Sequence, residues 1–128
     1  MAKSRSELTE VEWTILKAVW DSEPRTAPTV QKALKKQTGW TYSTVRTVMD
    51  RMVVKGILKS KKLGKITWYR SALSRRRAQR SELLYALRHA FNGALAPMVQ
   101  CLLDSSRLSE DELDKIEALL KEKREPKP

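Results

Sequence analysis

Apolar residues in the first third of the chain recur at intervals of three and four, the spacing of one face of a helix. Thr9 and Glu12 form a capping box, which predicts a first helix that ends before Asp21. Thr26 predicts the N-cap of a second helix, which ends at residues 38–39. The predicted inward positions are Val11, Trp13, Ile15, Leu16, Ala18, Val19 and Trp20 in the first helix, and Val30, Ala33 and Leu34 in the second.

A third helix and two strands are predicted next. Ser43 can cap the third helix, and Gly56 stands where a left-handed residue ends a helix. Residues 57–63 and 66–70 then predict two strands around a glycine-containing turn. Two strands directly after a helix-turn-helix are typical of a wing. The alternative, a free hairpin without a role, is disfavoured because an isolated pair of strands is only marginally stable. The predicted inward positions of the third helix are Val45, Val48, Met49, Met52 and Val53.

Positive charge is concentrated in one stretch of the chain. The net charge is +11, and residues 43–80 hold 12 basic residues and one acidic residue, so the rest of the chain is neutral in sum. This stretch contains the predicted third helix and wing. A localised basic surface is typical of a protein that faces phosphates, and the alternative is an ordinary solvated charged face.

The outward face of the third helix, expected over residues 43–55, predicts a surface that reads duplex DNA. An arginine there can donate two bonds to a guanine, and a threonine or serine can contact a base edge or a thymine methyl. The predicted base-facing residues are Ser43, Arg46, Thr47, Asp50 and Arg51, with Arg46 and Thr47 as the leading candidates. The predicted phosphate-binding residues are Thr41, Tyr42 and Thr44 at the helix start, and Lys59, Lys61, Lys62 and Lys65 on the wing.

The last third of the chain predicts three further helices with apolar faces. They begin at Ser74, near Leu95 and at a second capping box of Ser109 and Glu112. Three short helices cannot bury so many apolar side chains alone, so we expect a second copy of the chain to cover them. The alternative is that they fold back on the winged domain. The predicted dimerisation residues are Leu83, Leu84, Leu87, Phe91, Leu95, Met98, Val99, Leu102, Leu113, Ile116 and Leu120.

The predicted fold class is therefore mainly α (α+β). A winged helix-turn-helix domain is expected over residues 1–73, a helical dimerisation domain over 74–123 and a polar tail over 124–128. No apolar run suits a membrane span or a signal peptide, which predicts a cytoplasmic protein. The chain has a single histidine, His89, and a single cysteine, Cys101, which are too few for a His/Cys metal site, and no catalytic constellation is apparent. We expect neither an enzyme nor a metal, cofactor or small-molecule substrate.

Residues 12–20 and 44–57 resemble the BlaI/MecI family of penicillinase and methicillin-resistance repressors. The likeness extends over roughly residues 8–121, and the paired Glu-Trp…Val-Trp and Thr-Val-Arg-Thr blocks make it specific. It implies a bacterial cytoplasmic homodimer that binds palindromic operator DNA, with Arg46 and Thr47 at the bases. It also implies a membrane-bound sensor metalloprotease as a partner. The Asn-Phe bond cleaved in antibiotic-responsive members aligns with Cys101 and Leu102, the possible cleavage position in this chain. Because the residues differ, the resemblance alone does not imply that this bond is cleaved.

Two other functional classes stay open beside the repressor: a non-specific RNA- or DNA-binding module, and a protein-interaction module. RNA-binding proteins stack bases on exposed aromatic rings. The first helix is predicted to bury its two tryptophans, so the rings left for stacking are those of Trp40, Tyr42, Trp68 and Tyr69. This favours duplex DNA. Cys101 is interpreted as a packed side chain, with a redox role as the alternative.

Overall fold

The computed structural model describes residues 8–125 and divides into two compact units between Tyr85 and Ala86. The elements of the first unit are α1 (Glu10–Asp21), β1 (Arg25–Thr26), α2 (Ala27–Thr38), α3 (Tyr42–Val54), β2 (Leu58–Leu63) and β3 (Ile66–Ser71). The division falls within α4 (Arg75–Phe91), and α5 (Leu95–Ser105) and α6 (Glu110–Arg124) follow. The functional boundary predicted after residue 73 stays a prediction. Residues 1–7 of the predicted winged domain and 126–128 of the predicted tail lie outside the described residues.

Hydroxyl side chains set where the helices begin. At α1 the capping box is complete, because Glu12 N donates to Thr9 Oγ1 over 3.1 Å and Thr9 N donates to Glu12 Oε1 over 2.9 Å. At α6 the structure has only the first of these two bonds, from Glu112 N to Ser109 Oγ over 3.1 Å. The second predicted capping box is therefore half formed.

The N-cap predicted for α3 is wrong by two residues. Thr41 rather than Ser43 has the extended backbone of an N-cap, and its Oγ1 accepts from Thr44 N over 3.2 Å. Both side chains could serve, but the chain turns helical at Tyr42, so Ser43 lies inside the first turn. Gly56, with φ of 81°, follows α3 in the predicted left-handed conformation.

The sheet has the order β1-β3-β2 and is antiparallel throughout. The two longer strands form the predicted hairpin, in which Lys61 stands opposite Trp68 and Lys62 opposite Thr67. β1 was not predicted, because a two-residue strand has no periodicity of its own. It forms where Arg25 and Thr26 pair with β3.

The core of the first unit lies between the three helices and the sheet. It contains most of the predicted inward positions together with the buried Tyr69. Val11 and Ala33 are exposed, so their prediction as inward positions is wrong. Trp13 and Trp20 are half-buried and meet edge to face, with ring centroids 6.1 Å apart. The prediction that Tyr69 is available for stacking is wrong, because its ring packs among the core residues.

The second unit leaves most of its apolar side chains uncovered. Within residues 86–125, Met98 is the one buried residue. Cys101 is exposed, so its interpretation as a packed side chain is wrong for the single chain. No helix within residues 8–125 is both long and apolar enough to cross a bilayer. The exposed apolar side chains on α5 and α6 are Leu95, Val99, Leu102, Leu103, Leu119 and Leu120.

Candidate nucleic-acid interface

The outward face of α3 is fixed by the core contacts on its opposite side. Val45, Met49 and Met52 are fully buried, which turns the positions between them to solvent. The structure therefore places all five predicted base-facing residues outside the core. Arg46 is half-buried as a residue, and the others, Ser43, Thr47, Asp50 and Arg51, are exposed.

A chain of side-chain hydrogen bonds ties this face to the wing. Tyr69 Oη donates to Asp50 Oδ1 over 2.7 Å, and Arg46 Nε donates to Asp50 Oδ2 over 3.1 Å. Arg46 Nη1 also donates to the Tyr42 hydroxyl over 3.1 Å. Each carboxylate oxygen of Asp50 thus has a partner in its own chain, while Arg46 keeps further N–H groups for a ligand.

The local sequence explains part of this arrangement. Tyr42, Arg46 and Asp50 are four residues apart, so a helix stacks them on one stripe. Tyr69 comes from the middle of β3, and no local spacing connects it with α3. Burial and the bond to Asp50 raise the pKa of the Tyr69 phenol, so the hydroxyl stays protonated and donates. The bonds to Tyr42 and Asp50 raise the pKa of the Arg46 guanidinium, which keeps its full charge.

The predicted phosphate-binding residues at the start of α3 are all exposed. Thr41 caps the helix: its Oγ1 accepts from Thr44 N and donates to Thr44 Oγ1, each over 3.2 Å. The Tyr42 hydroxyl accepts from Arg46. The two threonines lie at the exposed N-terminus of α3, where an anion is favoured, and the Tyr42 hydroxyl lies beside Arg46.

The wing lysines do not share one face. Alternation along β2 places Lys62 on the side of Tyr69, whose hydroxyl reaches α3, whereas Lys59 and Lys61 lie on the opposite side with Trp68. Lys65 lies in the turn. Lys65 lines a depression of about 240 Å³ that is also lined by residues of α3 and of the start of α2. The residues lining it are Thr26, Ala27, Pro28, Tyr42, Arg46, Lys65, Ile66 and Thr67.

An ion pair that the pattern did not indicate holds the end of α3. Lys55 Nζ lies 2.6 Å from Glu12 Oε2, and Glu12 is only 5% exposed. Burial alone would raise the pKa of Glu12, but the bonds from Lys55 and Thr9 hold it below its ordinary value. The capping box could reveal Glu12, but its partner 43 residues away could not be predicted from local spacing.

Comparisons with known proteins point to one family. The family model described as penicillinase repressor matches residues 8–122. The penicillinase repressor of Bacillus licheniformis is 26% identical over 125 residues, which cover 94% of each chain. The methicillin resistance regulatory protein MecI of Staphylococcus aureus is 23% identical over 117 residues, covering 91% of this chain and 95% of MecI. The solution structure of the DNA binding domain of the repressor BlaI is 25% identical, with a TM-score of 0.51, and the match covers 59% of this chain and 90% of that domain.

Proposed function

The chain belongs to the penicillinase repressor family, and from that premise we propose that it is a cytoplasmic homodimeric repressor that binds a palindromic operator through α3. Membership in this family confirms the resemblance drawn from residues 12–20 and 44–57. The family consists of DNA-binding transcriptional repressors rather than enzymes, and the winged helix fold is that of the BlaI domain. The homodimer, the palindrome and the individual contacts are the proposal.

The observation that carries the proposal is the placement of Arg46. Its guanidinium projects from the solvent face of α3, is held by Tyr42 and Asp50, and has no part in the core. A guanidinium aligned in this way can present two N–H groups to O6 and N7 of a guanine in the major groove. We propose Arg46 and Thr47 as the main base contacts, with Ser43 and Arg51 beside them.

The residues around α3 supply contacts to the DNA backbone in this proposal. Thr41, Tyr42 and Thr44 bind phosphate at the helix N-terminus, and Lys62 and Lys65 bind it from the wing side that faces α3. These contacts add affinity that falls with salt and fix the position of the helix without reading sequence. Lys59 and Lys61 lie on the other face of the wing, so at most they contact flanking DNA.

The exposed apolar side chains of α5 and α6 support the proposed homodimer. Six large apolar residues lie open there beside one buried methionine, which is far from the burial that a stable unit needs. A second copy would cover these faces and place two α3 helices on the two halves of a palindrome. The partly buried members of the predicted dimerisation set are Leu87, Phe91, Leu113 and Ile116.

The proposed second partner is a membrane-bound sensor metalloprotease, and the support for it is the family resemblance alone. The bond between Cys101 and Leu102 lies inside α5, and Leu102 belongs to the proposed dimer surface. Mass spectrometry of the intact chain from cells that express the repressed genes tests the partnership. A chain cut within α5 would support it, and an uncut chain would exclude cleavage as the switch.

The proposed function is tested by footprinting on the DNA upstream of the gene, with the wild type and Arg46→Ala at two salt concentrations. We expect a protected palindrome and a loss of about 1–3 kcal/mol for Arg46→Ala on that site, with non-specific binding nearly unchanged. Uniform, salt-sensitive coating of any duplex would exclude a sequence-specific repressor. Sedimentation of Leu102→Asp beside the wild type tests the dimer, because a charge on that surface should leave monomers.

A further inference from the structure

The sheet has a second exposed surface, which turns away from α3. Alternation along the strands places Lys59, Lys61 and Leu63 of β2 on this surface, with Trp68 and Arg70 of β3. We call these five residues, together with Pro24 from the segment before β1, the outer wing face. They line a cavity of about 610 Å³, to which Ser60 and Tyr69 also contribute atoms.

The outer wing face combines an aromatic floor with positive charge. Trp68 is half-buried in the middle strand of the sheet, Lys61 stands directly opposite it, and Lys59 stands opposite Arg70. Leu63 and Pro24, both exposed, extend the apolar part. None of the described residues that line the cavity carries a carboxylate. The acidic side chain nearest in sequence, Glu23, accepts hydrogen bonds from Ser71 N and Oγ, at 2.8 and 3.0 Å.

The proposed contacts of α3 with DNA do not involve Trp68. The hydroxyl of Tyr69 reaches α3 from one side of β3, so the neighbouring Trp68 faces the other side. Basic residues alone would indicate no more than a solvated charged surface or contacts with flanking DNA. The indole of Trp68 adds a planar apolar surface beside these charges, on which another aromatic ring can stack.

We infer that the outer wing face binds a small planar aromatic anion, with its ring stacked on Trp68 and its carboxylate or phosphate paired with Lys59, Lys61 or Arg70. The cavity has the volume of ordinary small-molecule sites, which is roughly 300–1,000 Å³. An aromatic ring can pack against Trp68 and Leu63. A single anionic group is complementary to the charged residues described at the rim, which are all cationic. A neutral ring would leave those cations unpaired, and a plain inorganic anion would leave the indole uncovered.

The test is an NMR titration of the isotopically labelled full chain with naphthoate, and with the neutral naphthalenemethanol as the matched ligand. The chain has four tryptophans, so the indole N–H signal of Trp68 is assigned from the Trp68→Phe variant. We expect naphthoate to shift the Trp68 signal saturably and more than the other three. Lys61→Gln should weaken binding about 2- to 5-fold, the range for one exposed charge pair.

Lys62→Gln is the matched control, because Lys62 is the next residue of the same strand and lies on the other face. It should leave the naphthoate affinity unchanged. Equal weakening by Lys61→Gln and Lys62→Gln would overturn the inference, as would equal binding of the neutral ligand or shifts spread over all four indoles. Binding of a single-stranded oligonucleotide at Trp68 without any naphthoate binding would also overturn it. The titration contains no duplex DNA, so its result is independent of the proposed operator.

Discussion

Removal of one hydroxyl group tests whether the wing aligns the base-reading arginine. Tyr69→Phe keeps the ring, which is fully buried, but deletes the donor that lies 2.7 Å from Asp50 Oδ1. Asp50 then keeps only the bond from Arg46 and can rotate towards solvent. Because the side chain of Asp50 is 54% exposed, water replaces much of the lost bond, and the free energy of unfolding should fall by about 1 kcal/mol or less.

The effect on recognition should be more selective than the effect on stability. An aligned bidentate arginine contributes about 1–3 kcal/mol of discrimination against a wrong base pair. Loss of the Tyr69 bond removes one of the supports of Arg46, not the guanidinium itself. We therefore expect Tyr69→Phe to lose roughly 0.5–1.5 kcal/mol of discrimination, or about 2- to 12-fold, at the base pair that Arg46 reads.

Fluorescence anisotropy measures this discrimination by comparing the affinity for the footprinted operator with the affinity for a duplex changed at the base pair that Arg46 reads. The ratio of the two affinities should fall for Tyr69→Phe, while the dependence on salt stays that of the wild type. Lys62→Gln is the control: both affinities should fall together, and the salt slope should decrease by about 0.9. In an Arg46→Ala background, Tyr69→Phe should cost nothing further in discrimination. An equal loss in that background, or an equal loss on both duplexes, would refute alignment through Asp50.

Three further predictions concern stability. Glu12→Gln should lower the free energy of unfolding by about 1–3 kcal/mol at neutral pH; because the pKa of Glu12 is lowered in the folded state, urea titrations should show this advantage of the wild type disappearing as pH falls below the ordinary value of 4.5. For Tyr69 the pKa is raised in the folded state, so its contribution to stability is lost as pH rises. The free energy of unfolding of the wild type should therefore fall relative to that of Tyr69→Phe above pH 10.0, and an equal pH dependence of the two proteins would contradict a buried phenol. Met49→Ala, at a fully buried position, should cost about 2–5 kcal/mol in the same unfolding assay, and a cost under about 1 kcal/mol would exclude Met49 from the core.

The helices could be predicted because their signals are local. Capping hydroxyls and apolar spacing act within four residues, so α1 and α2 begin at the predicted caps. The start of α3 was misplaced because Thr41, Ser43 and Thr44 carry equivalent hydroxyls, and only the backbone decides between them. β1 exists only through pairing with residues 68 and 69, and nothing near it in the sequence indicates this.

The candidate site could be predicted only as a surface. Helical spacing selects the residues that leave the core, and it does so for all five base-facing positions. It does not say what those side chains bond. Asp50 has the same spacing as a base reader, yet its partners are Arg46 on its own helix and Tyr69 on the wing. Burial of Tyr69 also reversed the expectation that this ring is free, because the aromatic residues at 68 and 69 give no sign of which one faces inward.

The register of β3 decides which side chains serve each face of the wing. Trp68 and Tyr69 are neighbours in sequence, so a slip of one residue would put the half-buried indole in the place of the phenol that supports Asp50. Such a slip would break the bond from Tyr69 to Asp50 and the backbone bond from Ala72 N to Ile57 O, at 2.8 Å, besides the pairing of β3 with its two neighbouring strands. A ligand on the outer wing face can change operator binding only if its affinity for the free protein differs from its affinity for the DNA-bound protein. A ligand with equal affinity for both forms would stack on Trp68 without changing the affinity for the operator. Ligand binding at Trp68 therefore does not by itself imply release of the DNA.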